Sequence, residues 1–292
     1  MNTQECLEKI KKDGGIKDAD LTGLDFSGCE IAEAFFENVS LRGCIFAGAT
    51  LSRVTLYHCL LTGTDFTGAN LSRMIAGASD MTTAIFHQTD LTKAYFMETK
   101  LAGQKFLNCN LKMIILEKAD LKAADFSRAD ITQASFAGAN LTGAIFQEAH
   151  GKYVNFVGAK ADKADFHRAN LPMSNFTEAK LKVSNFADAS LAQSLFIKGD
   201  CTGAQFVRAR LPYTNFSHAI VKEADFSQAE LTYADMHAVL MHEARWDGAD
   251  TSSIYKTDKD LLEAEQWEAG AKLKEMNGRE RLLPDNVINR MP

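Results

Sequence analysis

The chain has 292 residues, 46% of them hydrophobic, and a formal charge of −6 at neutral pH. That mild acidity does not by itself point to nucleic acid or to an imitation of it. No apolar run is long enough to span a bilayer, and the charged start Met1–Ile10 lacks the apolar core of a signal peptide. A cytoplasmic protein with no membrane partner is the expectation; export without a signal would leave the same sequence features.

In chain order, residues 1–15 predict a short helix. Thr3 is its expected N-cap, Cys6, Leu7 and Ile10 share a face, and Gly14-Gly15 ends it. Its expected role is to cover the first open edge of the long repetitive segment C-terminal to it.

From Leu21 to Trp246 a five-residue beat, with a large apolar residue at most of its central positions, runs without insertion or deletion. In the stretch Ala119–Leu141 a small residue precedes each by two places, as Ala119, Ala124, Ala129 and Ala134 precede Leu121, Phe126, Ile131 and Phe136. Neither the helical period of 3.6 nor the strand period of 2 gives this spacing. A strict short period is the signature of a solenoid built by stacking identical units. Segments such as Ala69-Asn-Leu-Ser-Arg73 and Ala224-Asp-Phe-Ser-Gln228 resemble the pentapeptide-repeat family. The resemblance implies a right-handed, four-sided β-helix with one pentapeptide per face and twenty residues per coil. The predicted fold is therefore an all-β solenoid of about 11–12 coils with short helical caps at both ends, roughly 55 Å long at the stacking distance of strands. Its expected divisions are residues 1–15, 16–251 and 252–292.

Sorting positions by twenty gives columns. One runs from Phe26 through Phe126 to Phe226 with no other residue type, and Trp246 closes it. The opposite column breaks at Leu56, Ala76, Leu116 and Met236. At three of these the slot two residues earlier has grown, giving Val54 with Leu56, Met74 with Ala76, and Ile114 with Leu116. A close-packed interior must keep its volume, so both slots point inward. Gly151 and Ala161 have no such answer, which predicts a thin or distorted place near the seventh coil. Gly23, Gly43, Gly63, Gly103, Gly143 and Gly203 recur two places after the central residue of one face, as stacked type II turns with φ > 0 require.

After Thr251 the beat fails. Lys256–Met276 reads as a helix, acidic at its start (Asp258, Asp260, Glu263) and with Lys272 and Lys274 near its end, matching the helix dipole. Leu262, Ala269, Leu273 and Met276 give it one narrow apolar face, off which Trp267 lies. It is expected to cap the last coil, and the family resemblance allows a homodimer contact there. Residues 282–292 read as an extended tail.

No sequence pattern calls for catalysis or a cofactor. Of six cysteines, Cys29, Cys44, Cys59 and Cys109 fill the small slot and Cys201 the large one, with no CxxC spacing; reduced structural thiols are expected. All seven histidines fall in outward slots, and His218 and His237 lie on adjacent coils of one face. Two histidines alone make a weak metal site, so solvated side chains and no bound metal are expected. A filled rod offers no deep cleft for an enzyme.

Binding is the better prospect, because solenoids present long regular faces. On one face the second residue after the centre reads Arg53, Arg73, Lys93, Met113, Gln133, Tyr153, Met173, Gln193, Tyr213, Tyr233. Tyr153, Met173, Tyr213 and Tyr233 are the candidate contacts for a protein partner. A second apolar column contains Phe35, Thr55, Ile75, Tyr95 and Ile115, with Tyr57 and Met97 nearby. In both columns mutual support along a sheet is the competing explanation.

The family includes gyrase-protecting proteins shaped and charged like duplex DNA. Residues 18–37 are acidic without a basic residue, and 223–250 carry only Arg245 against seven acids. Between them, residues 152–222 are basic on balance, and Lys100, Lys122, Lys160, Lys163, Lys180, Lys182 and Lys222 share a face with Asp120, Asp162, Asp200 and Glu223. This interruption disfavours the mimic, and the mixed face makes a nucleic-acid partner unexpected. The expected function is a non-catalytic scaffold or adaptor binding a protein partner along a rigid face. The alternatives are a topoisomerase-binding DNA mimic and, because family members occur beside secretion systems, a secretion-associated adaptor or effector.

Overall fold

The computed structural model describes residues 1–266. It is a parallel β-helix in which residue i stacks on residue i+20, from Gly15 over Phe35 to Asp235 over Tyr255. The ladder thus runs four residues past the expected end at 251. Among the described residues, only β1 (Gly15–Lys17), β2 (Phe35–Glu37), β3 (Thr55–Tyr57) and β4 (Ile75–Gly77) are continuous strands, paired in the order β1-β2-β3-β4. Elsewhere each face reduces to a single bridge flanked by turns.

Hydrogen-bond accounting explains the repeat motif. In Asp125–Ala129, Asp125 N–H donates to Gln104 O at 2.7 Å, and Phe126 and Arg128 donate to Ile145 O and Gln147 O at 2.7 and 2.9 Å. Ala129 N–H closes the turn on Phe126 O at 3.0 Å. The remaining donor, Ser127 N–H, goes to the Asp125 carboxylate at 2.9 Å. Asp or Asn before the central residue therefore completes the backbone pairing that a stacked coil requires. Pro172 and Pro212 occupy the position of Ser127, where a missing N–H costs nothing and a fixed φ suits the turn.

The turn residue two after the centre has φ > 0 on all four faces. The predicted glycines do, with Gly23 at 75° and Gly203 at 68°, and so do many larger residues, including Arg73 at 60° and β-branched Val183 at 58°. The positive φ is a property of the closed coil, and glycine is only its least strained occupant.

Both predicted inward slots are buried. The unbroken Phe column stacks at 4.5–5.5 Å, from Phe26 on Phe46 to Phe226 on Trp246. From Phe126 onward it meets the opposite column edge to face, as in Phe126–Phe136 at 5.3 Å and 82°. The compensating pairs Val54/Leu56, Met74/Ala76 and Ile114/Leu116 are all fully enclosed. At several places where Ser or Thr takes the small slot, its hydroxyl donates to a carbonyl of the preceding coil: Thr64 to Leu41 O at 2.9 Å, Ser194 to Leu171 O at 3.0 Å.

The expected irregularity lies at Gly151. Lys152–Tyr153 form a bend where neighbouring coils have a turn. A Cβ built on Gly151 would lie 2.7 Å from Thr132 N and 2.8 Å from Ile131 C, so the Leu of the repeat cannot be accommodated. By the spacing of its neighbours, the Ser174 hydroxyl should donate to Gly151 O. It is instead buried with no hydrogen-bond partner.

Both ends show differences from expectation. α1 (Thr3–Asp13) is capped by Asn2, not Thr3: Asn2 and Glu5 form a reciprocal capping box. Thr3 is inside the first turn, where its hydroxyl reaches Asp25 O at 3.0 Å and ties the helix to the rod. Cys6 is buried, with Leu7 and Ile10 packed against the core, and Gly14 ends the helix at φ 75°. At the other end α2 spans Lys259–Glu265, starting three residues later than expected. Tyr255 still pairs with Asp235, and Thr257 Oγ1 accepts from Ala238 N–H, so the chain leaves the ladder late. The Asp258 carboxylate then caps the helix. Trp267, Ala269, Lys272, Lys274, Leu273, Met276 and the tail lie outside the described residues.

Urea unfolding tests this interior in two places. Met74→Ala should cost about 2–5 kcal/mol, and adding Ala76→Phe should recover most of it. Comparing the two single variants with the double variant reads this as a favourable coupling energy. Conversely, Ser174→Ala should stabilise the protein by about 1 kcal/mol by removing an orphaned hydroxyl. Ser194→Ala should destabilise it, since Ser194 also accepts the Ser174 N–H.

Candidate functional site

The four ladder residues occupy the left-handed turn position, with φ of 60°, 58°, 57° and 57° for Tyr153, Met173, Tyr213 and Tyr233. The turn directs their side chains away from the core, and all four are exposed, Tyr153 and Tyr213 each at 56%. Gln193 fits the same turn between Met173 and Tyr213, so the backbone does not call for aromatic residues here. Tyr213 stacks on Tyr233 at 5.1 Å and 23°. Tyr153 is separated from that pair by the Met173 and Gln193 coils, and among the described residues no ring contact joins it to another aromatic. Pro172 and Pro212 hold turn positions in the rod rather than contact positions.

One member was missed from sequence. Tyr255 is 59% exposed and lies 6.4 Å from the Tyr233 ring, extending the aromatic surface around the corner toward α2. The signal was its place twenty residues after Asp235, beyond the point where the apolar beat fades. The second column is less exposed. Ile75 and Tyr57 face solvent, but Phe35, Tyr95 and Ile115 are half-buried. Lys17 lies over the Phe35 ring at 5.2 Å, and Tyr95 Oη contacts Met97 Sδ at 3.6 Å.

Some charges along the rod are paired between coils. Within the acidic first coils, Glu33 pairs with Arg53 and Glu37 with Lys17, both at 2.8 Å. Asp225 binds Arg245 at 2.7 Å near the other end. On the lysine face, Lys100 pairs with Asp80 and Lys182 with Asp200. These pairs offset part of each run of one sign, which works against the even field that either a DNA mimic or a duplex-binding surface needs.

Chemically reactive groups are correspondingly quiet. Burial pushes the Cys44 and Cys109 thiols up to about 11 and raises Cys201 further, so none is a thiolate at neutral pH. Hydrogen bonds from the residue two places on hold Asp20, Asp25 and Asp250 below the usual carboxylate range, through Thr22, Ser27 and Ser252 respectively. These are turn-capping carboxylates.

His237 departs from expectation. Its slot faces outward, but the residue is buried, because the segment after Tyr255 turns back across it. His237 Nδ1 accepts from Asp258 N–H at 3.2 Å. Its Nε2 meets Glu265 Oε2 at 3.2 Å, and His218 Nε2 meets the same oxygen at 3.3 Å. The contact to His237, then the nearby His218, holds the Glu265 carboxyl below its ordinary range. A cleft of about 660 Å³ separates α2 from the last coils and is also lined by Ser217, Asp235 and Tyr255.

If the tyrosines mainly supported one another, removing them would loosen the rod. Stacking of one exposed pair sets a smaller limit: Tyr213→Ser with Tyr233→Ser should cost no more than about 1.5 kcal/mol, and Tyr153→Ser should leave the urea midpoint unchanged.

Family profiles agree with this architecture. The profile described as "Pentapeptide repeat region" matches residues 79–156 and 129–206, and "Pentapeptide repeats (8 copies)" matches 19–56, 51–88, 59–96 and 213–245. Among curated proteins none matches. Similar solved structures include HetL, a pentapeptide repeat protein involved in heterocyst differentiation regulation in the cyanobacterium Nostoc sp. strain PCC 7120. It is 23% identical over 85% of this chain and 96% of its own, with a TM-score of 0.24. The plasmid-mediated fluoroquinolone resistance protein QnrB1 is 17% identical over 86% and 95%, with a TM-score of 0.28. A pentapeptide repeat protein from the Arabidopsis thaliana thylakoid lumen is 26% identical over 38% and 66%, with a TM-score of 0.22. With the profiles spanning most of the chain and the twenty-residue register visible throughout, the protein belongs to the pentapeptide-repeat family.

Proposed function

We propose that this protein is a non-catalytic scaffold whose Tyr/Met edge binds a protein partner. The observation that carries the reading is the exposed line Tyr153, Met173, Tyr213 and Tyr233, continued by Tyr255, on a backbone that accepts a polar residue such as Gln193 in the same turn. Tyrosine combines a large apolar face with a hydroxyl and few rotatable bonds, which suits it to interface centres. A rigid rod adds to this, since little conformational entropy is lost when a preformed face is covered.

A topoisomerase-directed mimic of duplex DNA finds less support. Its anionic surface would need to be continuous, and here Glu33, Glu37 and Asp225 are each paired with a cation. A gyrase supercoiling assay with and without the protein separates this reading from the first.

The decisive experiment is an affinity pull-down from the native cell extract, using the wild-type chain and a Tyr153→Ser, Tyr213→Ser, Tyr233→Ser variant. A protein retained by the first and lost by the second is the expected result. Equal recovery of the same partners by both would remove the ladder from the function.

A further inference from the structure

We propose that His218, His237 and Glu265 form a binding site for a divalent transition metal of the zinc class, which fastens α2 to the side of the β-helix. Two nitrogens and one carboxylate oxygen converge here from three separate places in the chain. His218 and His237 come from successive coils of one face, and Glu265 comes from the last turn of α2.

Two of the three ligand separations suit the metal. Four-coordinate zinc bonds nitrogen and oxygen at about 2.0–2.1 Å, which puts tetrahedral ligand atoms about 3.3 Å apart. Glu265 Oε2 lies 3.3 Å from His218 Nε2 and 3.2 Å from His237 Nε2, and all three ligand atoms fall within 4.8 Å of one another. The imidazole rings stand nearly perpendicular, at 76° with centroids 5.4 Å apart. Two histidines and one carboxylate are a ligand set that zinc accepts, with the fourth position left to water. The partly exposed His218 and Glu265 give the ion a path from solvent, while His237, at 6% side-chain exposure, anchors it.

Without metal the same groups make a hydrogen-bonded latch. Asp258 N–H occupies the Nδ1 lone pair of His237, so its Nε2 carries a proton and donates to Glu265. Metal binding at Nε2 requires that proton to leave this nitrogen, and a neutral ring then carries its hydrogen on Nδ1. Asp258 N–H must consequently turn away from the ring. Metal binding therefore exchanges one fastening of α2 for another and shifts the start of the helix, which gives a readout independent of any partner.

The test uses the full chain stripped with chelator and titrated with Zn²⁺ by calorimetry, and in parallel with Co²⁺ for the visible bands of tetrahedral coordination. The expected result is one ion per chain, tetrahedral Co²⁺ bands displaced by Zn²⁺, and a metal-dependent rise in Tm. Glu265→Gln and His218→Ala should each weaken binding at least about tenfold, by analogy with losses seen even for supporting residues. Both side chains are partly exposed and lie outside the core, so these variants keep the fold without His237 being touched. Absence of binding by the wild-type chain would leave only the hydrogen-bonded latch and overturn the proposal. Binding that persists unchanged in both variants would place the ion elsewhere and overturn it equally.

Discussion

Closure of each coil in twenty residues over an interior of constant cross-section is the constraint on which the rest depends. Four of the five N–H groups in Asp125–Ala129 bond to main-chain carbonyls, and the fifth is taken by the Asp125 side chain. An inserted residue would misalign those bonds with both neighbouring coils. Four pentapeptides also surround a space that admits only a fixed volume at each level. The same two demands explain why the beat never slips and why Ala76 occurs with Met74. They also explain why the coil containing Gly151 leaves a mark on the next one, at the orphaned Ser174 hydroxyl.

A filled interior moves function to the outer positions, and those positions are not equivalent. The residue before each central one lies in the ladder and is drawn toward Asp and Asn by the turn it caps. The residue two after it only has to tolerate a positive φ, which Gly23, Gln193 and Tyr213 all do. Choice at that position is consequently the freest in the repeat, and a line of Tyr and Met there is informative in a way that a line of Asp is not.

Most of the fold was legible because its rule is local and repeats: the columns, the compensating pairs and the defect at Gly151 each derive from volume in one slot. The ends obey different physics. Thr3 was a reasonable cap by residue type, but Asn2 can form the reciprocal pair with Glu5 while Thr3 reaches Asp25. His237 was expected in solvent because its slot faces outward; its burial depends on where the chain goes after Tyr255, which no period encodes. Tyr255 was overlooked for the same reason.

The two features that periodicity left hidden lie together. Tyr255 and Glu265 line one cleft with His218 and His237, and the Tyr255 ring reaches within 6.4 Å of Tyr233. Met241, Trp246, Ala249 and Ile254 in the final turns remain only partly covered by the described residues. α2 therefore does more to cover a side of the rod than to seal its end. Its seat is set by groups that also border the aromatic edge, so whatever fastens Glu265 to the two histidines also fixes the surroundings of Tyr255. The aromatic edge and the seat of α2 therefore adjoin, where the repeat gives way to ordinary chain.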